Sequence, residues 1–253
     1  MILYFSATGN CKYVAKRIAD ATDDTMSAIS ERVKEDNYKV ELLAGEKLGI
    51  ITPTYSWELP IIVRDFLKKV EIKTREKHYI YFIGTFGTTP GAVGADARRY
   101  MKKKKLDFDA LYSVQMPDTW TPVFNLSDKE KIAEQNAKAE TQIENIIDSI
   151  KHGIIGNHMK RRAPYVVRII SDRYYENMRK TNHLNVEDSC IGCGLCEKKC
   201  PVEAIKMRNG KPVWITEQCA MCLGCLHRCP KFAIQYDNKT KKHGQYRNPN
   251  VEV

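Results

Sequence analysis

The chain has 253 residues, 41 basic and 31 acidic side chains and nine cysteines. At 43% hydrophobic and 28% charged it can bury a core, which excludes wholesale disorder, and no apolar run reaches the roughly 18–20 residues of a membrane span. The formal charge of +10 points to an acidic partner, and almost all of that excess lies behind residue 152.

The N-terminus, MILYFSATGN, lacks a basic flank and a small-residue cleavage site, so a cytoplasmic location is expected, where thiols stay reduced. Nine cysteines then point to metal or redox chemistry rather than a disulfide framework. Ile2 to Phe5 reads as a short strand. Val14, Ile18 and Ala21 give a helix, and a weak strand lies around 25–29. Leu48 to Ile51 is a second strand, stopped by Pro53. Pro60 opens a helix with Ile61, Ile62, Phe66 and Leu67 on its face. His78 to Ile83 is a strand, 92–104 a helix and 111–116 a further strand. Ser127 with Glu130 reads as a capping box opening a long helix whose apolar side holds Ile132, Ile143, Ile146, Ile147 and Ile150. This alternation predicts an α/β fold, a doubly wound parallel sheet of five strands over residues 1–152. A basic linker over 153–183 and a small α+β domain with a basic tail over 184–253 follow.

Three loops leave the carboxyl ends of these strands, where ligands bind in such sheets. The first, Ser6-Ala7-Thr8-Gly9-Asn10-Cys11, leads into a helix N-terminus and suits a phosphate. The second carries Pro53, Thr54, Tyr55, Ser56 and Trp57. The third carries Thr85, Phe86, Gly87, Thr88 and Gly91. A phosphate cradle, two aromatic rings and exposed backbone together suit FMN, whose ring system needs an apolar wall and backbone hydrogen bonds.

The back of the chain contains Cys190-x2-Cys193-x2-Cys196-x3-Cys200-Pro201, repeated 29 positions later as Cys219-x2-Cys222-x2-Cys225-x3-Cys229-Pro230. Three thiolates spaced by two residues wrap one side of a cubane, and the cysteine before proline reaches the other cluster. Two [4Fe–4S] clusters are therefore expected: one on Cys190, Cys193, Cys196 and Cys229, the other on Cys219, Cys222, Cys225 and Cys200. Paired zinc sites are the alternative, although zinc ribbons use two well-separated cysteine pairs. Gly192, Gly194 and Gly224 give backbone N–H groups room near the clusters. His227, between two ligands, is expected at the surface.

Residues 184–236 resemble the bacterial two-cluster ferredoxins. FSATGNCKYVA at 5–15 resembles the phosphate loop of flavodoxins, and the whole chain resembles flavodoxin–ferredoxin fusion proteins. The resemblance implies phosphate binding by Ser6, Thr8, Gly9, Asn10 and Cys11, and flavin contacts from Thr54, Tyr55, Trp57, Phe86 and Gly87. Cys11 departs from the family's threonine; a thiol is a weaker donor, and one at a helix N-terminus is a candidate thiolate. The expected function is electron transfer between one-electron carriers and FMN through the two clusters. Alternatively, the FMN reduces a small molecule, with 116–122 lining the site and Asp118 supplying a proton. With no GxGxxG loop for a nicotinamide, the expected partner is an acidic ferredoxin or a low-potential oxidoreductase. Nucleic acid is not expected, since the basic tail lacks interleaved aromatic residues.

Overall fold

The computed structural model describes residues 1–159 and 167–253. In chain order, β1 spans Ile2–Tyr4, α1 Asn10–Thr22, β2 Met26–Ala28, α2 Ile29–Lys34, β3 Lys39–Glu41 and β4 Leu48–Pro53. Then come α3 Ile61–Lys69, β5 Glu71–Lys73, β6 Ile80–Phe86, α4 Val93–Lys102, β7 Ala110–Gln115 and α5 Lys129–Lys151. The back half contains β8 Gly156–Asn157, α6 Val167–Met178, β9 Leu184–Val186, α7 Leu195–Lys198, β10 Ile205–Arg208, β11 Lys211–Trp214, α8 Gly224–Arg228 and β12 Ile234–Tyr236.

The main sheet runs in the order β2-β1-β4-β6-β7-β8 and is parallel throughout. Strands β3 and β5 pair with each other, apart from it. The remaining front strands therefore follow the doubly wound order, with the switch between β1 and β4. Five strands were expected and six are found. The extra strand, β8, comes from the segment read as a linker and pairs with Ala110 and Leu111 of β7. The same segment supplies α6; its residues 160–166 lie outside the described residues.

Alternating side chains build a core on each face of the sheet. Leu3, Ile50 and Phe82 pack beneath Val63, Phe66 and Leu67 of α3 and Val93, Ala97 and Met101 of α4. Ile2, Ile51, Tyr81 and Ile83 pack beneath Val14 and Ile18 of α1 and Ile143, Ile146, Ile147 and Ile150 of α5. The capping box expected at Ser127 is not formed. Asp128 is the cap, accepting from the Lys131 N–H at 3.0 Å, while Ser127 Oγ donates to Asn125 Oδ1. A carboxylate one residue later does the same work and suits the helix dipole.

The back half is two copies of a small unit. Asn209 and Gly210, both with positive φ, turn β10 into β11. Strands β9 and β12 pair antiparallel and close the duplicated region. Among the described residues, no helix is long and apolar enough to cross a membrane.

Candidate functional site

The loops after β1, β4, β6 and β7 enclose a cavity of about 510 Å³. Of the residues expected there, all line it except Gly9 and Gly91. Those two support the wall from behind. Gly91 has φ +55°, and a Cβ on it would lie 2.4 Å from Trp57 Cβ. Gly9 caps α1 with φ +100°, and a Cβ there would lie 2.8 Å from Asn248 Cβ. An L side chain fits neither backbone nor space at these positions.

The second loop is held under strain. Ser56 and Trp57 have φ of 48° and 65° in a tight turn closed by reciprocal Tyr55–Glu58 backbone hydrogen bonds at 3.0 Å. Two non-glycine residues in this conformation cost about 1–2 kcal/mol each. Buried charge holds the turn: Glu58 pairs with Arg64, which also reaches Asp172 at 2.9 Å and Asp96 at 3.7 Å. Arg64 Nε donates to the Leu59 carbonyl at 2.9 Å. The strained turn keeps Trp57 at the cavity with its side chain partly in solvent.

The lining fits FMN. Thr54 Oγ1 and Ser56 Oγ are buried hydroxyls without a protein partner, and both residues face the cavity. Such groups need a ligand or water. The first loop leads into the start of α1, whose Gly9 cap supplies no side-chain acceptor. The first-turn N–H groups have no carbonyl to meet within the helix. Gly9 N donates to Ser6 Oγ at 3.1 Å, which fixes the loop. Tyr55, Trp57, Phe86 and Trp120 supply aromatic wall.

Cys11 is buried, with Sγ 3.1 Å from Thr85 Oγ1. Burial pushes its thiol up to about 12, which opposes a reactive thiolate. Asp118 is also in the wall. Burial raises its carboxyl above the usual value, partly offset by the Trp120 N–H at 3.1 Å.

The sequence reading missed the lining from outside the front half: Tyr174, Met178, Met221, Cys222 and Leu223. One signal was available. In the repeat, Gly192 and Gly194 correspond to Met221 and Leu223. All four have positive φ: 67° and 74° for the glycines, 45° and 52° for Met221 and Leu223. The second copy accepts backbone strain to place two apolar side chains in this cavity. Gly224 lies one position past the equivalent of Gly194 and begins α8, so Leu223 takes the cap position that Gly194 holds in the first copy.

Each expected cysteine set surrounds its own cavity. One is walled by Cys200, Cys219, Cys222 and Cys225, the other by Cys190, Cys193, Cys196 and Cys229. The crossing of Cys200 and Cys229 between copies is what a two-cubane domain requires. Cys222 lines both its own cavity and the 510 Å³ cavity, whereas Cys193 is exposed. The first-named set is the inner site and the other the outer site. His227 is not at the surface as expected but 1% exposed. Its Nε2 donates to the Thr119 carbonyl at 2.9 Å and its Nδ1 accepts the Tyr246 N–H at 3.2 Å. Burial pushes its imidazole down to about 4, so it stays neutral and joins α8 to the front half.

Residues 1–144 match the family model described as Flavodoxin domain, and residues 189–234 match the 4Fe-4S dicluster domain. A 49-residue stretch is 41% identical to one component of the ion-translocating oxidoreductase complex of Methanosarcina acetivorans, covering 19% of each chain. A ferredoxin of Pyrobaculum islandicum is 41% identical over 49 residues, 19% of this chain and 46% of that one. The chain thus matches less than half the length of these curated relatives. Among solved structures, the FMN-bound flavodoxin of Fusobacterium nucleatum aligns over 60% of this chain and 95% of that one, at 18% identity and a TM-score of 0.36.

Proposed function

Because the chain belongs to the flavodoxin family and carries a 4Fe-4S dicluster domain behind it, we propose that it relays low-potential electrons between a one-electron protein carrier and FMN. The observation that carries this reading is Cys222, a wall of both the inner cysteine site and the flavin cavity. When bound, FMN exchanges one or two electrons and each cubane exchanges one. The rest falls to the protein's own residues. Ser6, Thr8, Asn10 and Cys11 hold the phosphate end. Thr54, Ser56 and the aromatic wall hold the ring system. Cys200, Cys219, Cys222 and Cys225 hold the inner cluster; Cys190, Cys193, Cys196 and Cys229 hold the outer one.

The order of the two sites gives the relay a direction in space. Met221 and Leu223 cover the inner site where it meets the flavin cavity and exclude water there. The outer repeat meets solvent through Cys193 and through Ile191, 60% exposed. Exposed Lys198, Lys199 and Arg208 suit an acidic ferredoxin of the cytoplasm.

Replacing Cys193 by alanine in the full chain tests the reading. Anaerobically purified wild type should carry about eight irons and one FMN. Reduced ferredoxin should reduce its flavin, and C193A should retain FMN but lose most of that reduction. Unchanged flavin reduction in C193A, with the outer cluster absent by iron count, would sink the proposal.

A second reading is favoured by the rim of the cavity. Trp57, Val123 and Tyr174 are exposed apolar side chains around its opening, with Asp118 inside. A flat acceptor such as a quinone could stack there and take a proton from Asp118. Steady-state quinone turnover with reduced ferredoxin as donor supports this reading; absence of turnover leaves the relay alone.

A further inference from the structure

The C-terminal segment does not trail away from the cluster-binding half. It returns to the front half and lies across the phosphate loop. Tyr246 is 5% exposed and Asn248 2%, so both are core residues. Asn248 N donates to the Thr8 carbonyl at 2.8 Å, and its Nδ2 donates to Asn10 Oδ1 at 3.2 Å. The Tyr246 hydroxyl lies 2.8 Å from Asn10 Oδ1 and 3.1 Å from Asn136 Oδ1. Lys12 Nζ reaches the Glu252 carbonyl at 2.8 Å. The close approach of Asn248 to Gly9 leaves no gap between segment and loop.

The other end of the segment is anchored beside the cysteines. Gln245 Nε2 donates to the carbonyls of Leu226 and Cys229 at 2.6 and 2.8 Å. Tyr246 N donates to His227 Nδ1, as described above. One strap therefore joins helix α8, which carries Cys225 and ends just before Cys229, to the loop that opens α1.

We propose that Tyr246 and Asn248 are positioning residues that set the affinity of the first loop for the flavin's phosphate. The electrostatics give the reason. A phosphate is repelled by carbonyl and amide oxygens and attracted by N–H groups. The strap engages two of the loop's negative poles, the Thr8 carbonyl and Asn10 Oδ1. The Thr8–Gly9 peptide is then fixed with its N–H toward Ser6, and the Asn10 amide nitrogen is directed to the Pro117 carbonyl at 3.3 Å. Without the strap these groups are free to turn their oxygens toward the phosphate. This rests on the proposed placement of FMN in the cavity.

The test compares FMN with riboflavin, which lacks the phosphate, on full-length protein that keeps its clusters and has been freed of flavin. Binding is read from quenching of flavin fluorescence under anaerobic conditions. In Asn248→Ala the FMN Kd should rise about tenfold, the size of a lost hydrogen-bonded group at a buried site. Tyr246→Phe removes one hydroxyl and should raise it several-fold. The riboflavin Kd should stay within about twofold of wild type in both. A general loss of structure would weaken both flavins alike, and that result, or an unchanged FMN Kd in Asn248→Ala, overturns the proposal. If wild type itself binds riboflavin as tightly as FMN, the phosphate placement fails first. A wild-type preference for FMN that survives both substitutions leaves the placement standing and removes the strap's role.

Discussion

Tyr175 meets Tyr55 edge to face, with ring centroids 6.5 Å apart and planes at 64°. Tyr55 lines the large cavity of the front loops, and Tyr175 comes from α6, the helix between the two halves. The Tyr175 hydroxyl accepts from Ile61 N at 3.2 Å and donates to the Ala220 carbonyl at 3.3 Å. Ala220 adjoins Met221 and Cys222. One side chain thus sets the second front loop, the start of α3 and the inner cysteine loop against one another.

Removing that hydroxyl should loosen the joint without emptying it. Tyr175→Phe is expected to cost about 1–2 kcal/mol, since both partner groups lose a buried bond. Tyr175→Ala should cost about 3–5 kcal/mol, since it also opens a cavity. Anaerobic denaturant melts of the cluster-loaded protein would show both. Stopped-flow flavin reduction should slow in Tyr175→Ala, because the inner site is no longer held in register with the cavity.

Leu223 sets two opposed effects against each other. Leu223→Gly relieves a left-handed backbone worth about 1–2 kcal/mol, but it removes a buried side chain worth about 2–5 kcal/mol. Emptying the wall should win, giving a net loss of up to about 4 kcal/mol in thermal or denaturant melts. Flavin affinity should fall with it. A variant more stable than wild type would show that the side chain does not repay the strain.

Cys11 should make stability depend on alkaline pH. Its thiol is raised from 9 to about 12 in the folded state, so the folded form holds a proton that the unfolded form releases. The stabilising contribution is full below pH 9 and is lost as pH climbs from there toward 12. Cys11→Ser should flatten this part of the profile and retain FMN. Melts between pH 8 and 10 would reveal the difference in slope.

Asp118 predicts a dependence of the same sign at lower pH. Burial raises its carboxyl, so its favourable contribution exists only below the unfolded value and disappears as pH rises through the folded one. Ionised Asp118 is therefore a cost near neutrality. Asp118→Asn keeps an oxygen for the Trp120 N–H and should raise stability near neutral pH, because it removes a partly buried charge. The gain should shrink as pH falls toward 3.8, as paired melts at pH 4 and 7 would show.

Local chain geometry explains what could be read in advance. Cysteines two residues apart can converge only in a few ways, so spacing alone marked the two sets of cysteines that wall the two small cavities. The strand–loop–helix pattern likewise marked three walls of the large cavity, because each loop lies within a few residues of its strand. Local rules failed where a competing neighbour intervened. Asp128 displaced Ser127 as a helix cap, and His227 was drawn inside by acceptor and donor groups at Thr119 and Tyr246.

The sequence by itself determined the two cofactor classes and the parallel sheet, since both follow from short-range periodicity and spacing. Only the tertiary structure decided which cysteine site faces the large cavity, because the cysteine spacing of the two copies is identical. What breaks that symmetry is packing between residues far apart: Met221 and Leu223 against the front loops, Tyr175 against Tyr55, and Asn248 against Asn10. None of these pairs shares a local pattern. Each depends on where the whole chain brings two buried surfaces together.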